Sequence, residues 1–112
     1  GEAACDWLLG LAPAPTAVFA YNDTQAIGLM QALQQRGKQI PGDYSVAGFD
    51  DIQVSHLISP QLTTVAQPVD EIGARGAQIL IDVLSGQPAP APMLLQPRLV
   101  VRQSTGAVHP RA

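Results

Sequence analysis

Charged residues are scarce in this sequence: 13% of its 112 residues, against roughly 25% in ordinary globular domains. A surface this poor in charge points to cover supplied by a partner subunit or by further polypeptide. The six basic residues are Arg36, Lys38, Arg75, Arg98, Arg102 and Arg111, and they form no run. Affinity for nucleic acid rests on clustered Lys and Arg that release counterions from phosphates. These residues therefore do not grip DNA or RNA themselves. No apolar run is long enough to cross a membrane. Cys5 is the only cysteine, so there is no internal disulfide, which fits a reducing compartment weakly. With no second Cys and no nearby His it holds no zinc, and it reads as a small apolar residue on a helix. Gly1 to Ala4 lacks the basic flank and apolar stretch of a signal peptide. The chain opens without Met inside a helical pattern and reads as a fragment of something longer.

What is present is an alternation of strands and helices. Glu2 to Leu11 reads as a helix stopped by Pro13 and Pro15. Thr16 to Tyr21 is a short, nearly continuous apolar run, expected to be a strand buried on both faces, as in parallel sheets. Asn22, Asp23 and Thr24 start a helix with Ile27, Met30 and Leu33 on one face, and Gly37 suits its left-handed end. Pro41-Gly42-Asp43 makes a turn. Ser45 to Phe49 is a second strand and Ile52 to Ile58 a short helix. Leu62 to Ala66 is a third strand, rich in Thr and Val. Pro68 opens another helix, with Asp70 and Glu71 at its positive end and Gly86 closing it. Residues 87–92 form a Pro/Ala linker, and Leu94 to Ser104 has strand character. This order predicts an α/β fold with a parallel, doubly wound sheet.

Two polar clusters fall where strands end: Asn22-Asp23 and Asp50-Asp51. Ligands of doubly wound sheets bind outside the carboxyl ends of the strands. An Asn amide both donates and accepts, and a carboxylate accepts two hydrogen bonds, which suits a polyhydroxylated ligand or a nucleobase edge. Local sequence alone favours a plainer role: helix capping for Asn22 or Asp23, a turn or cap for Asp50-Asp51. A magnesium or phosphate site needs a phosphate cradle or a nearby Lys, and the chain has no Gly-rich phosphate loop and a single lysine, Lys38. No G-x-G-x-x-G follows a strand. Ser55 and His56 are neighbours in sequence only, their side chains diverge on a helix, and no nucleophile elbow is present. His56 reads as a surface or interface histidine and His109 as part of a frayed end. No catalytic residues, metal or cofactor are expected.

Taken together, the motifs resemble the LacI/GalR family of bacterial transcription regulators. The resemblance is carried by Phe19-Ala20-Tyr21-Asn22-Asp23 with Ala26-Ile27-Gly28, and by residues 40–51 with Ile40-Pro41-Gly42-Asp43 and Gly48-Phe49-Asp50-Asp51. It continues through Pro60-Gln61-Leu62-Thr63-Thr64-Val65, Gln67-Pro68 and Glu71-Ile72-Gly73, and ends in Pro97 to Thr105. The order and spacing are the family's across nearly the whole chain.

The resemblance implies a fragment of a two-lobed, type I periplasmic-binding-protein-like sensor domain. Residues 1–61 would belong to the second lobe, and residues 62–68 would cross between lobes. Residues 69–85 would be a helix packed on the first lobe, 86–97 a linker and return crossing, and 98–112 the terminal strand and tail. A DNA-binding headpiece would lie upstream, so operator DNA would be contacted only through it. Asn22 matches a cleft-lining position, Asp50 the carboxylate that hydrogen-bonds the effector, and Gln67 a crossover residue that reaches it. Asp23 and Asp51 would support loops or cap helices. Ile27, Met30, Leu57 and Ile58 match the family's dimer face, which implies a homodimer, although Ile58 stands where an aromatic residue is frequent. The implied effector is a small molecule, usually a sugar, with purines and nucleosides also found, and the implied setting is the cytoplasm with no membrane partner. A periplasmic sugar-binding protein of a transport system is the rival reading: it would share the fold and cleft but be exported and monomeric.

Overall fold

The computed structural model of the chain describes residues 2–108. Gly1, His109 and the last three residues of the expected tail lie outside that range. The chain divides into two compact units, residues 1–66 with 99–112, and residues 67–98.

The first unit is built on a sheet. Helix α1 (Glu2–Leu9) leads to β1 (Ala17–Phe19), α2 (Asp23–Gln35), β2 (Ser45–Phe49), a 3-10 turn (Gln53–His56) and β3 (Thr63–Ala66). The strand β4 (Arg98–Val100) adjoins β3, so the sheet order is β1-β2-β3-β4. The pairs β1–β2 and β2–β3 are parallel, with Ala17 opposite Ser45 and Ala47 opposite Thr63. The parallel α/β sheet expected from the alternation is therefore present.

Helix α2 ends as its sequence dictates. Gly37 takes a φ of +74°, its N–H donates to the Gln34 carbonyl, and the Lys38 N–H reaches back to the Leu33 carbonyl. That pair of bonds is the Schellman arrangement, which a residue without a Cβ adopts at least cost. The buried face of α2 carries Ala26, Leu29, Met30, Ala32 and Leu33. It packs with Cys5 and Leu8 of α1 and with Val46 of β2, alongside Tyr44 and Leu62, as one hydrophobic core. Cys5 is fully buried there, a packing residue as its sequence context suggested.

The strands differ from expectation in two ways. β1 is an edge strand whose side chains alternate between exposed and half-buried, and Phe19 and Tyr21 are exposed. Helix α2 packs against β2 and α1 packs against α2, and this packing leaves the expected burial of β1 on both faces unmet. The last strand is also shorter than the strand character of Leu94 to Ser104 suggested. Pro97 has no N–H to give to a ladder. Beyond Val100 the backbone bonds elsewhere: the Arg102 N–H donates to Thr63 Oγ1, and the Gln103 and Ser104 N–H groups both donate to the Gln61 carbonyl.

The second unit is helix α3 (Val69–Leu84) and the irregular segment that follows it. Asp70 and Glu71 occupy its first turn. Arg75 Nε pairs with Glu71 Oε1 at 2.8 Å, and Gln78 Nε2 donates to Asp82 Oδ1 at 2.8 Å, both at the i,i+4 spacing that places side chains together. Gly86, at φ +87°, closes the helix with the same paired bonds as Gly37, from its own N–H to Val83 and from Gln87 to Asp82. Yet α3 has no buried residue. Its apolar side lines an open recess of about 440 Å³ with residues 89–95. No helix among the described residues is long and apolar enough to cross a membrane.

Candidate functional site

The ends of β1 and β2 bring the two polar clusters together. The β1–β2 register pairs Phe19 with Ala47, and Asn22 and Asp50 each follow three residues further along their own segments. The Ala20 N–H donates to the Ala47 carbonyl at 2.8 Å, the bond that closes the Phe19–Ala47 pair. Parallel pairing makes both ends carboxyl ends, where partial charges and loop side chains face outward.

Asn22 is the N-cap of α2. Its backbone is extended, and its Oδ1 accepts from the Gln25 N–H at 2.9 Å. The capping role that local sequence favours is therefore present. It uses the oxygen of the amide, while the NH₂ group has no partner among the described residues. Asn22 is half-buried, so capping and ligand contact are compatible in one side chain.

Asp23 has a different task. It is fully buried and its carboxylate gathers three donors from elsewhere in the chain. Oδ2 accepts from the Ile52 N–H at 2.9 Å and from Ser55 Oγ, and Oδ1 accepts from Thr64 Oγ1. An ionised carboxylate in a protein interior is tolerated when hydrogen bonds replace its lost hydration. Here they also join the start of α2, the 3-10 turn and β3. Gly48 makes this possible: a Cβ at that position would collide with the Asp23 carboxylate and come within 3.1 Å of Leu62 Cδ2.

Asp50 and Asp51 both adopt positive φ, 109° and 55°, a region that non-glycine residues enter at a cost and in which Asp is enriched. The Asp50 N–H donates to the Val65 carbonyl at 2.9 Å. Asp51 Oδ1 pairs with Arg102 Nη2 at 2.5 Å, and Arg102 Nη1 also donates to the Leu62 carbonyl at 2.9 Å. Nearby, the fully buried Ser104 donates from Oγ to the Val46 carbonyl and accepts from the Thr63 N–H at 2.8 Å. The terminal segment is thus stitched into the sheet from behind the strand-end loops.

Ser55, Thr64, Arg102 and Ser104 were not singled out for a role by sequence reasoning. The residue types carried no signal by themselves, because each is a common surface residue and its side-chain partners lie 32 to 58 positions away in sequence. Asp23 and Asp51 do support loops, as the resemblance implied.

The remaining expected residues are elsewhere. Gln67 is the first residue of the 67–98 unit, and its carbonyl accepts from the Val69 N–H. Ile27, Met30 and Ile58 line a surface recess of about 210 Å³ with Gln31, Gln34 and Ser59. Met30 is nevertheless 2% exposed and part of the core, whereas Leu57 is 68% exposed. His56 is exposed and its carbonyl accepts from Gln61 Nε2. Among the described residues no group of three or more His, Cys, Asp or Glu side chains is arranged to hold a metal ion.

Residues 1–105 match the periplasmic binding protein-like domain. The chain is 39% identical over 102 residues to the HTH-type transcriptional repressor PurR of Vibrio campbellii, covering 90% of this chain but 30% of the repressor. It therefore spans under a third of that relative's length. A LacI family transcriptional regulator from Arthrobacter sp. FB24, solved in complex with lactose, superposes with a TM-score of 0.82 at 37% identity, over 94% of this chain and 40% of that one. The Lac repressor dimer bound to operator and the anti-inducer ONPF superposes with a TM-score of 0.86 at 32% identity, over 95% and 37% of the two chains. The chain belongs to the periplasmic binding protein-like domain family, in the form carried by LacI-family transcriptional regulators.

Proposed function

We propose that the chain is part of the effector-sensing domain of a LacI-type transcriptional regulator and takes a sugar at the shared strand end of Asn22 and Asp50. The observation that carries this reading is the parallel pairing of β1 and β2, Phe19 opposite Ala47, with Asn22 and Asp50 each three residues beyond that last pair at the strands' carboxyl ends. An amide with a spare NH₂ and a neighbouring carboxylate complement the alternating donor and acceptor character of vicinal hydroxyls. The lactose held by the Arthrobacter regulator supports a sugar over a purine. Gln67, where the chain leaves the first unit, is the third ligand residue in this reading. The chain acts by binding and not by catalysis, and the effector works by favouring one of two lobe arrangements that differ in operator affinity.

The same reading assigns residues 1–61 to the second lobe, 62–68 and 86–97 to crossings, 69–85 to a helix that packs on the first lobe, and 98–112 to the terminal strand and tail. Operator contact falls to a helix-turn-helix headpiece outside these residues, because the basic residues here form no cluster. A homodimer would use Ile27, Leu57 and Ile58 with the edge of Met30, which is supported by the dimeric Lac repressor, by the recess that Ile27, Met30 and Ile58 border and by the exposure of Leu57. A DNA-binding role puts the protein in the cytoplasm.

The test is calorimetric titration of the natural full-length protein with lactose, cellobiose, D-ribose and hypoxanthine, followed by Asp50→Ala. Loss of a charged hydrogen-bond acceptor should weaken the sugar that binds by about tenfold to a hundredfold. Equal affinity in wild type and Asp50→Ala would remove Asp50 from the site, and binding of hypoxanthine alone would replace sugar with purine.

A further inference from the structure

Arg102 links the loop after β2 to residues 62 and 63 at the start of β3. Its side chain is 13% exposed. Nη2 reaches Asp51 Oδ1 at 2.5 Å, Nη1 reaches the Leu62 carbonyl at 2.9 Å, and its backbone N–H reaches Thr63 Oγ1 at 2.9 Å. The planar guanidinium can serve the carboxylate and the carbonyl at once because its donors diverge in a fixed fork, which a lysine ammonium does not offer. Asp50 and Asp51 are the only non-glycine residues at positive φ among the described residues. Two consecutive residues in that region need an external hold, since their own Cβ atoms disfavour it. Beside the Ile52 N–H bond to Asp23 Oδ2, two of its holds are the Asp50 N–H to the Val65 carbonyl on one side and the Arg102 bridge to Asp51 on the other.

These two holds sit at the points where the chain leaves and re-enters the first unit. Val65 is one residue before the end of the first segment at Ala66, and Arg102 is three residues after its return at Leu99.

We propose that Arg102 is a positioning residue for effector binding: its bridge to Asp51 sets the loop conformation that presents the Asp50 carboxylate. The proposal rests on the reading of Asp50 as a ligand residue. It goes beyond that reading by assigning the loop's geometry to a side chain 51 positions away in sequence.

Two measurements on the natural full-length protein test it, with Arg102→Gln, Asp51→Asn, the double variant, and Arg102→Lys as a charge-preserving substitution that keeps the fold. The first is amide hydrogen exchange, which needs no ligand. Exchange across residues 50–52 should quicken about tenfold in Arg102→Gln and Asp51→Asn, in line with loss of a charge-assisted hydrogen bond, while residues 26–33 of α2 stay unchanged. Unchanged exchange at 50–52 overturns the proposal, and so does equal quickening in the loop and in α2, which is the signature of a merely structural ion pair. The second is titration with lactose, cellobiose and D-ribose. Each single variant should weaken the bound sugar by about tenfold, the double variant no further, because both remove one interaction. Arg102→Lys should fall between wild type and Arg102→Gln. Additive losses in the double variant overturn the proposal. If none of the three sugars binds wild type, the sugar reading of the site fails by itself, and the exchange pattern alone decides the role of Arg102.

Discussion

The two units of this chain are held together by different means. Residues 1–66 with 99–112 enclose a hydrophobic core, and the polar groups within it are satisfied: Asp23, Ser55, Thr63, Thr64 and Ser104 are all buried and all hydrogen-bonded. Residues 67–98 have a capped helix with two i,i+4 side-chain pairs but no buried residue. Its apolar side chains, Val69, Leu80, Ile81 and Leu84 among them, are exposed. The first unit has the means to specify its own structure. The second has local helix signals but lacks the tertiary burial that supplies most helix stability in proteins. An apolar stripe this wide on a helix is the pattern of a surface meant to be covered.

The largest effect should come from breaking the core. Leu33 is fully buried, and Leu33→Ala removes its packing and leaves a cavity, at about 3–5 kcal/mol. Urea unfolding of the chain reads this directly. The matching change in the other unit is Leu80→Ala, at a side chain 60% exposed. It should stay within about 0.5 kcal/mol in this chain and cost several times more in the natural full-length protein, where a covering surface would be lost. Equal costs for Leu80→Ala in both settings would mean that nothing covers α3, and the contrast between the units would reflect a helix stable by itself.

A smaller effect should come from the polar network. Asp23→Ala strands three donors, and they are not equivalent. The Ser55 and Thr64 hydroxyls can rotate toward other acceptors, but the Ile52 N–H is fixed by its backbone. Relief of burying a carboxylate offsets part of the loss. A net cost of about 2–3 kcal/mol follows from the unsatisfied groups, measured by the same unfolding experiment. Gly48→Ala probes the same contact from the opposite side, by driving a Cβ into the carboxylate. If Gly48→Ala were neutral, the close approach of β2 to the start of α2 would not be holding the site together.

The contrast between the units also governs how much was legible in the sequence. Local signals were readable wherever one residue type has one physical use. Gly37 and Gly86 marked both helix ends, and Ser45–Phe49 was recovered to the residue. Asn22 and Asp50 stand out because polar residues close an apolar run there, each three residues beyond the paired Phe19 and Ala47. The network behind them was not readable. A serine or threonine becomes a ligand of Asp23 only after the chain has folded, and no local pattern marks Arg102 as the partner of Asp51. The end of β4 differs from expectation for a related reason, since strand character at 94–104 says nothing of Gln61 and Thr63, whose acceptors draw the backbone out of the ladder.

The smallest expected effect is also the sharpest test of the comparison. Gly37 and Gly86 end their helices with the same bond pattern and nearly the same φ, and nothing lies within 4 Å of a Cβ built on either. Alanine at each therefore adds only the backbone penalty of the left-handed region, about 1 kcal/mol. What differs is the unit that feels it. Gly37→Ala should lower the free energy of unfolding by that amount, because α2 is part of the core. Gly86→Ala should leave the unfolding midpoint where it is and reduce only the helical circular dichroism, because α3 buries nothing whose loss the unfolding transition would report. A midpoint shift of the same size for both would show the two units unfolding as one. The exposed face of α3 would then have to be stabilised by contacts of its own and not by a missing cover.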